Sequence, residues 1–106
     1  MPSLRSRFAD DPEMGELVEL FLTELPERAR AIRAAAYIAD REGIGRLAHK
    51  LKGAAGGYGF PTIGEAAARL ELLAGRTRSI EITTEEVRDL IDLCQRASGG
   101  RANGSA

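Results

Sequence analysis

A period of 3.6 residues recurs in four separate segments of this chain, and that pattern leaves little room for anything but helices. Val18, Phe21, Leu22, Leu25, Ala29, Ile32 and Ala36 form the first apolar stripe, and Ile44, Leu47, Ala48, Leu51, Ala55 and Tyr58 the second. Ile63, Ala66, Ala67, Leu70 and Leu73 form the third, and Val87, Leu90, Ile91, Cys94 and Ala97 the fourth. Each stripe makes its helix amphipathic. No stretch of useful length alternates with the period of two that a half-buried strand requires. Four one-sided helices joined by links of a few residues bury their stripes by folding back on one another. The predicted fold is therefore all-α, an antiparallel up-and-down four-helix bundle.

Boundary residues agree with this layout. Asp11-Pro12-Glu13 reads as an N-cap followed by proline at the first helical position, and Thr62 with Glu65 and Thr83 with Glu86 have capping-box spacing. Gly75 is placed to end the third helix and Ser98-Gly99-Gly100 the fourth. Pro26 falls inside the first stripe, yet the apolar period continues in phase beyond it. One bent helix from about residue 12 to about residue 39 is expected. Pro61 and Gly64 are expected to loosen the start of the third helix. A short additional N-terminal helix around Ser3 to Ala9 is compatible with the sequence.

A chain of 106 residues with 43% hydrophobic content sustains one such core and no second. The bundle is assigned to residues 1–98 and a flexible polar tail to 99–106. The formal net charge is −1, with arginine and glutamate interspersed and not collected in a basic block, which argues against nucleic-acid binding. One cysteine, Cys94, rules out an intrachain disulfide framework and any multi-cysteine metal site; it reads as a buried small apolar residue. No apolar run approaches the roughly 20 residues of a membrane span, and Met1-Pro2-Ser3-Leu4-Arg5 lacks the apolar region of a signal peptide. A cytoplasmic protein without membrane contact is expected.

The second helix carries the chemistry. His49 is the one histidine of the chain, and at roughly 100° per residue it lies almost opposite the apolar arc of its own helix. Its neighbours on that face are Gly45, Arg46, Lys52, Gly53 and Gly56, residues that are cationic or lack a side chain. Glycine inside a helix costs about 0.5–1 kcal/mol relative to alanine, and this helix also carries Gly57. Gly45 and Gly53 stand one turn to either side of His49, so a bulky partner could approach the ring. Lys52 lies on the edge of the same face, where its ammonium reaches an anionic group attached to the imidazole. Imidazole is a nucleophile near neutral pH, and phosphoryl transfer asks for in-line access and cationic charge around the equatorial oxygens. No carboxylate cluster for Mg²⁺ is evident near His49 in the sequence, so the metal and the second reactant are expected from a partner.

Other chemistries fit less well. A structural zinc site wants four ligands, and no second histidine or cysteine lies at ligand spacing. Ser-His-Asp catalysis would need a glycine-rich nucleophile turn that is missing. Gly53-Ala54-Ala55-Gly56-Gly57 is no phosphate loop, since no strand precedes it and no Gly-Lys-Ser/Thr closes it. An ATP-binding region with glycine-rich boxes is also missing, so self-phosphorylation from ATP is not expected.

Leu47-Ala48-His49-Lys50-Leu51-Lys52-Gly53-Ala54-Ala55, then Gly59, then Leu70-Glu71, resembles the histidine-containing phosphotransfer (HPt) domain, and Phe21-Leu22-Thr23-Glu24-Leu25-Pro26-Glu27-Arg28 is similar to the second helix of that family, including its proline. The resemblance implies a four-helix phosphorelay carrier of two-component signalling. His49 would accept a phosphoryl group from the aspartate of one response-regulator receiver domain and pass it to another. Lys52 would stabilise the phosphoryl oxygens, and Gly53 would leave room for the receiver's aspartate and Mg²⁺. Gly45, Arg46, Lys50 and Gly56 are assigned to partner binding. The docking face is expected between the first long helix and the His49 helix. Receiver domains and a hybrid histidine kinase are the expected partners of a monomeric carrier with no metal or cofactor of its own, and the short lead before the first helix favours a free-standing protein. Two alternatives stay open: a module of the same fold that docks on a receiver or kinase without taking phosphate, and a ligand-binding bundle.

Overall fold

The computed structural model of the chain describes residues 4–76 and 80–99, with backbone alone for 80–83. The four stripes become four helices, α1 (Gly15–Tyr37), α2 (Arg41–Gly57), α3 (Pro61–Arg76) and α4 (Ile80–Ser98). Each packs against its chain neighbours, and α4 returns to α1, which closes the bundle. Among the described residues no helix is long and apolar enough to cross a membrane.

The core is the set of stripes with small shifts. Leu25, Ile32, Ile44, Leu51, Ile63, Leu70 and Leu90 are fully buried, and Cys94 lies among them. Burial pushes the Cys94 thiol up to about 12, which leaves it an inert packing group. Ala35 is buried in place of Ala36, and Ala74 in place of Leu73; Leu47 and Tyr58 are only partly buried. The methyl of Ala74 lies 3.7 Å from where a Cβ on Gly45 would stand, so the last turn of α3 packs against a bare stretch of α2. Gly64 does the same from the start of α3: its Cβ position is 3.6 Å from the Lys52 carbonyl oxygen and 3.8 Å from the Gly56 nitrogen. At that point α3 rests directly on the α2 backbone.

Several boundaries differ from expectation, each for a local reason. α1 runs unbroken through Pro26, but it begins at Gly15. Asp11 spends its carboxylate on the backbone N–H groups of Glu13 (2.8 Å) and Met14 (3.3 Å), which forms a turn ahead of the helix. α3 starts sharply at Pro61, and α4 starts at Ile80, so Thr62 and Thr83 lie inside their helices and not at the caps. Gly75 lies within the last turn of α3, which continues to Arg76. Ser98 does end α4, and Gly99 follows with φ +59°. The proposed tail from residue 100 onward lies outside the described residues, as does Ser3.

From residue 4 to residue 14 the chain forms turns and no helix. Its polar groups are committed elsewhere. The Leu4 N–H donates to the Arg96 carbonyl (3.1 Å) and the Arg7 N–H to the Gly59 carbonyl (2.8 Å). Ser6 Oγ donates to the Tyr58 carbonyl (2.6 Å) and accepts from the Phe8 N–H (2.9 Å). This segment thereby ties the end of α4 to the α2–α3 turn.

The two described interhelical turns share one design. At the end of α1, the Ala39 N–H bonds the Ala36 carbonyl (3.1 Å) and the Asp40 N–H the Ala35 carbonyl (2.8 Å); at the end of α2, Gly59 bonds Gly56 (3.4 Å) and Phe60 bonds Ala55 (2.8 Å). Both are Schellman motifs, which need a left-handed residue after the cap. Gly59 supplies it with φ +86°, whereas Ala39 is forced to φ 56°. A Cβ at 59 would also press on Ser6 Oγ, the Arg7 nitrogen at 2.9 Å and the Phe8 ring at 2.9 Å. Opposite outcomes are therefore expected from exchanging the two residue types. Ala39→Gly should stabilise the fold by about 0.5–1 kcal/mol, and Gly59→Ala should cost about 2 kcal/mol or more. Urea denaturation of the two variants beside the parent measures both, and equal shifts in the same direction would refute the assignment.

Candidate functional site

α2 is fixed at its start by Asp40, whose carboxylate accepts a 2.9 Å hydrogen bond from the Gly43 N–H. A side chain at 43 would collide with that carboxylate. Ile44, Ala48, Leu51 and Ala55 then turn one face of α2 into the core. His49 is left outward, its side chain 64% exposed.

The ring is not surrounded by cations alone. Glu71, reaching over from α3, places Oε2 2.9 Å from His49 Nδ1 and Oε1 3.0 Å from Lys52 Nζ. One carboxylate thus joins the two residues singled out on α2. An ionised carboxylate only accepts hydrogen bonds, so Nδ1 is the donor in this contact. In the neutral ring the lone pair then belongs to Nε2, on the side away from Glu71. The arrangement presents a nucleophilic nitrogen to solvent with an ammonium one helical turn away.

Glu71 stands in the sequence pattern next to Leu70, but no role follows for it from the pattern alone. A signal was available. In an antiparallel helical hairpin, residues equally far from the turn face each other, and His49 stands ten residues before Gly59 while Glu71 stands twelve after it. Adjacent Leu70 is fully buried, which puts Glu71 at the flank of the α3 stripe beside α2.

The remaining predicted residues divide. A Cβ on Gly53 would meet nothing within 4 Å, and the same holds at Gly56 and Gly57, so the surface beyond His49 toward the end of α2 is bare backbone. Gly45 forms the floor of an open groove on the other side of His49, with Arg46 and Lys50 exposed at its rim. That groove has a volume of about 560 Å³ and its other wall is α3, through Glu71, Ala74 and Gly75. The groove wall facing His49 comes from α3, so the surface immediately around the ring is shared by α2 and α3. Among the described residues no cluster of three or more histidine, cysteine, aspartate or glutamate side chains could hold a metal ion.

The Lys52 ammonium holds the Glu71 carboxyl below the usual carboxylate range; partial burial opposes this, and the His49 contact adds to the lowering. Because the folded value is depressed, the stabilising contribution of the pairing is present above the usual glutamate range and is lost as pH falls through the lowered value. In Lys52→Ala the Glu71 midpoint should rise toward that of an ordinary glutamate. Carbon NMR of the side-chain carboxyl follows it, and an unchanged midpoint would show that Lys52 is not the dominant partner.

Neither the curated proteins nor the solved structures yield a match to this chain. A family model does: the Hpt domain matches residues 16–100, from the start of α1 to just past the end of α4, and includes His49, Lys52 and Glu71. The chain therefore belongs to the Hpt domain family, the histidine phosphotransfer modules of two-component signalling.

Proposed function

We propose that this protein is a phosphorelay intermediate in which His49 Nε2 takes a phosphoryl group from the aspartyl phosphate of one receiver domain and delivers it to the aspartate of another. The observation that carries this reading is the Glu71 bridge, which orients the ring and the ammonium together. In the forward step the Nε2 lone pair attacks phosphorus, the bond from phosphorus to the aspartyl oxygen breaks, and the receiver's carboxylate leaves with that electron pair. The imidazole gains positive charge while keeping its Nδ1 proton, and Glu71 stabilises the charge through the same hydrogen bond. Lys52 offers its free N–H donors to the phosphoryl oxygens. A divalent cation brought by the receiver would neutralise phosphoryl charge from the partner's side.

Gly53, Gly56 and Gly57 keep the approach to Nε2 clear. Leu17 and Leu20, exposed on α1, flank Phe21, whose ring stacks on Tyr58 at 5.2 Å; they extend the contact surface beyond the end of α2. A cytoplasmic carrier working as a monomer fits this role.

Incubation with phosphorylated receiver domains tests the proposal. The parent should acquire an acid-labile, base-stable label that His49→Ala lacks. Glu71→Ala should slow transfer on the order of tenfold to a hundredfold through loss of ring orientation, and Lys52→Ala about as much, less than at a buried oxyanion donor because the site is open to water. Binding to a receiver that survives His49→Ala, with no label on the parent, would instead identify a docking module.

A further inference from the structure

The groove between α2 and α3 extends away from Lys52. It runs from His49 toward the start of α2, and Arg41 at its far end lies eight residues from His49, about 12 Å along the helix axis. A phosphoryl group on His49 does not reach that far. The floor is Gly45, Ala74 and Gly75, so both helices contribute residues with little or no side chain at the same level. Nothing inside the molecule demands a glycine at 45, since a Cβ there would make only an ordinary contact with Ala74. The space is empty because the sequence leaves it so.

The edges are charged. Arg41, Arg46 and Lys50 line the groove with Glu42 and Glu71, and Glu71 is already bonded to His49 and Lys52. Among the described residues neither Arg46 nor Lys50 has a carboxylate partner. A partner segment entering here meets backbone and methyl groups below and, at the edge, three cations against Glu42 and the already bonded Glu71, so charge is the main property by which the groove distinguishes one segment from another.

Resting on the relay role just given to His49, we propose that this groove receives an acidic segment of the receiver domain, within about 12 Å of His49 along α2, and that it selects among receivers by that charge. Aspartate or glutamate side chains entering beside Arg46 and Lys50 speed encounter and fix the orientation in which the aspartate faces Nε2. A receiver with basic residues at the same place is repelled.

The test uses the full chain and a panel of receiver domains of differing surface charge, each loaded with phosphate from acetyl phosphate. Arg46→Glu combined with Lys50→Glu should slow exchange with acid-bearing receivers about tenfold at low salt, through KM more than kcat, and the difference should fade at high salt. Arg46→Gln with Lys50→Gln should fall between. Thermal melts confirm that these exposed changes leave the fold intact. Unchanged rates and an unchanged order among receivers would overturn the groove while leaving the relay standing. Failure of the parent itself to exchange with any receiver would overturn both, and labelling of the parent by phosphoramidate, which needs no partner, then shows whether His49 is a nucleophile at all.

Discussion

The site depends on a single carboxylate held across a helix boundary. Glu71 belongs to α3, while the two groups it joins belong to α2, so the distance between them is set by how the two helices pack. That packing is well determined. Leu70 anchors α3 in the core next to Glu71, Gly64 brings the α3 backbone against Lys52 and Gly56, and a three-residue turn fixes which residues are opposite each other. A slide of α3 by one turn, about 5 Å, would carry Glu71 past both partners. The hydrophobic stripes and the Schellman turn after α2 therefore act on the chemistry through register.

The bridge would also matter during transfer. An ammonium has three donors, and the contact with Glu71 occupies one of them. In the proposed reaction the other two remain for phosphoryl oxygens, and the carboxylate keeps the flexible lysine stem from swinging into water before the group arrives. Preorganising a mobile cation in this way removes part of the entropy cost of forming the transition state. The same carboxylate faces the ring that becomes positive, so one residue acts on both the nucleophile and the group that receives charge.

Much of this was legible in the residue pattern, and what was not has a common cause. The bundle followed from four stripes because burial of apolar faces is the largest local signal a helix carries. His49 and Lys52 were found because they lie within one helix, where spacing alone determines a shared face. Glu71 escaped because its partners are on another helix, and one-helix periodicity says nothing about register between helices. The helix starts slipped for a smaller reason. Thr62 and Thr83 have the spacing of caps, but Pro61 already opens α3 and α4 begins ahead of Thr83. Asp11, read as a cap, instead closes the turn before α1.

The glycines of the α2 region separate structure from function most sharply. Gly43 is needed because a side chain would displace the Asp40 cap, and Gly59 because the turn is left-handed and the N-terminal segment crosses it. Gly53, Gly56 and Gly57 have no such reason, since a Cβ at any of them would point into open space. In isolation each lowers helix stability by about 0.5–1 kcal/mol. Three unforced penalties on one face, next to an exposed imidazole, run against every rule for stabilising a helix. Such local violations are expected where a surface must admit something from outside. What they leave open is an approach to Nε2 along bare backbone, and the bundle tolerates it because Ala48, Leu51 and Ala55 on the opposite face of α2 are fully buried.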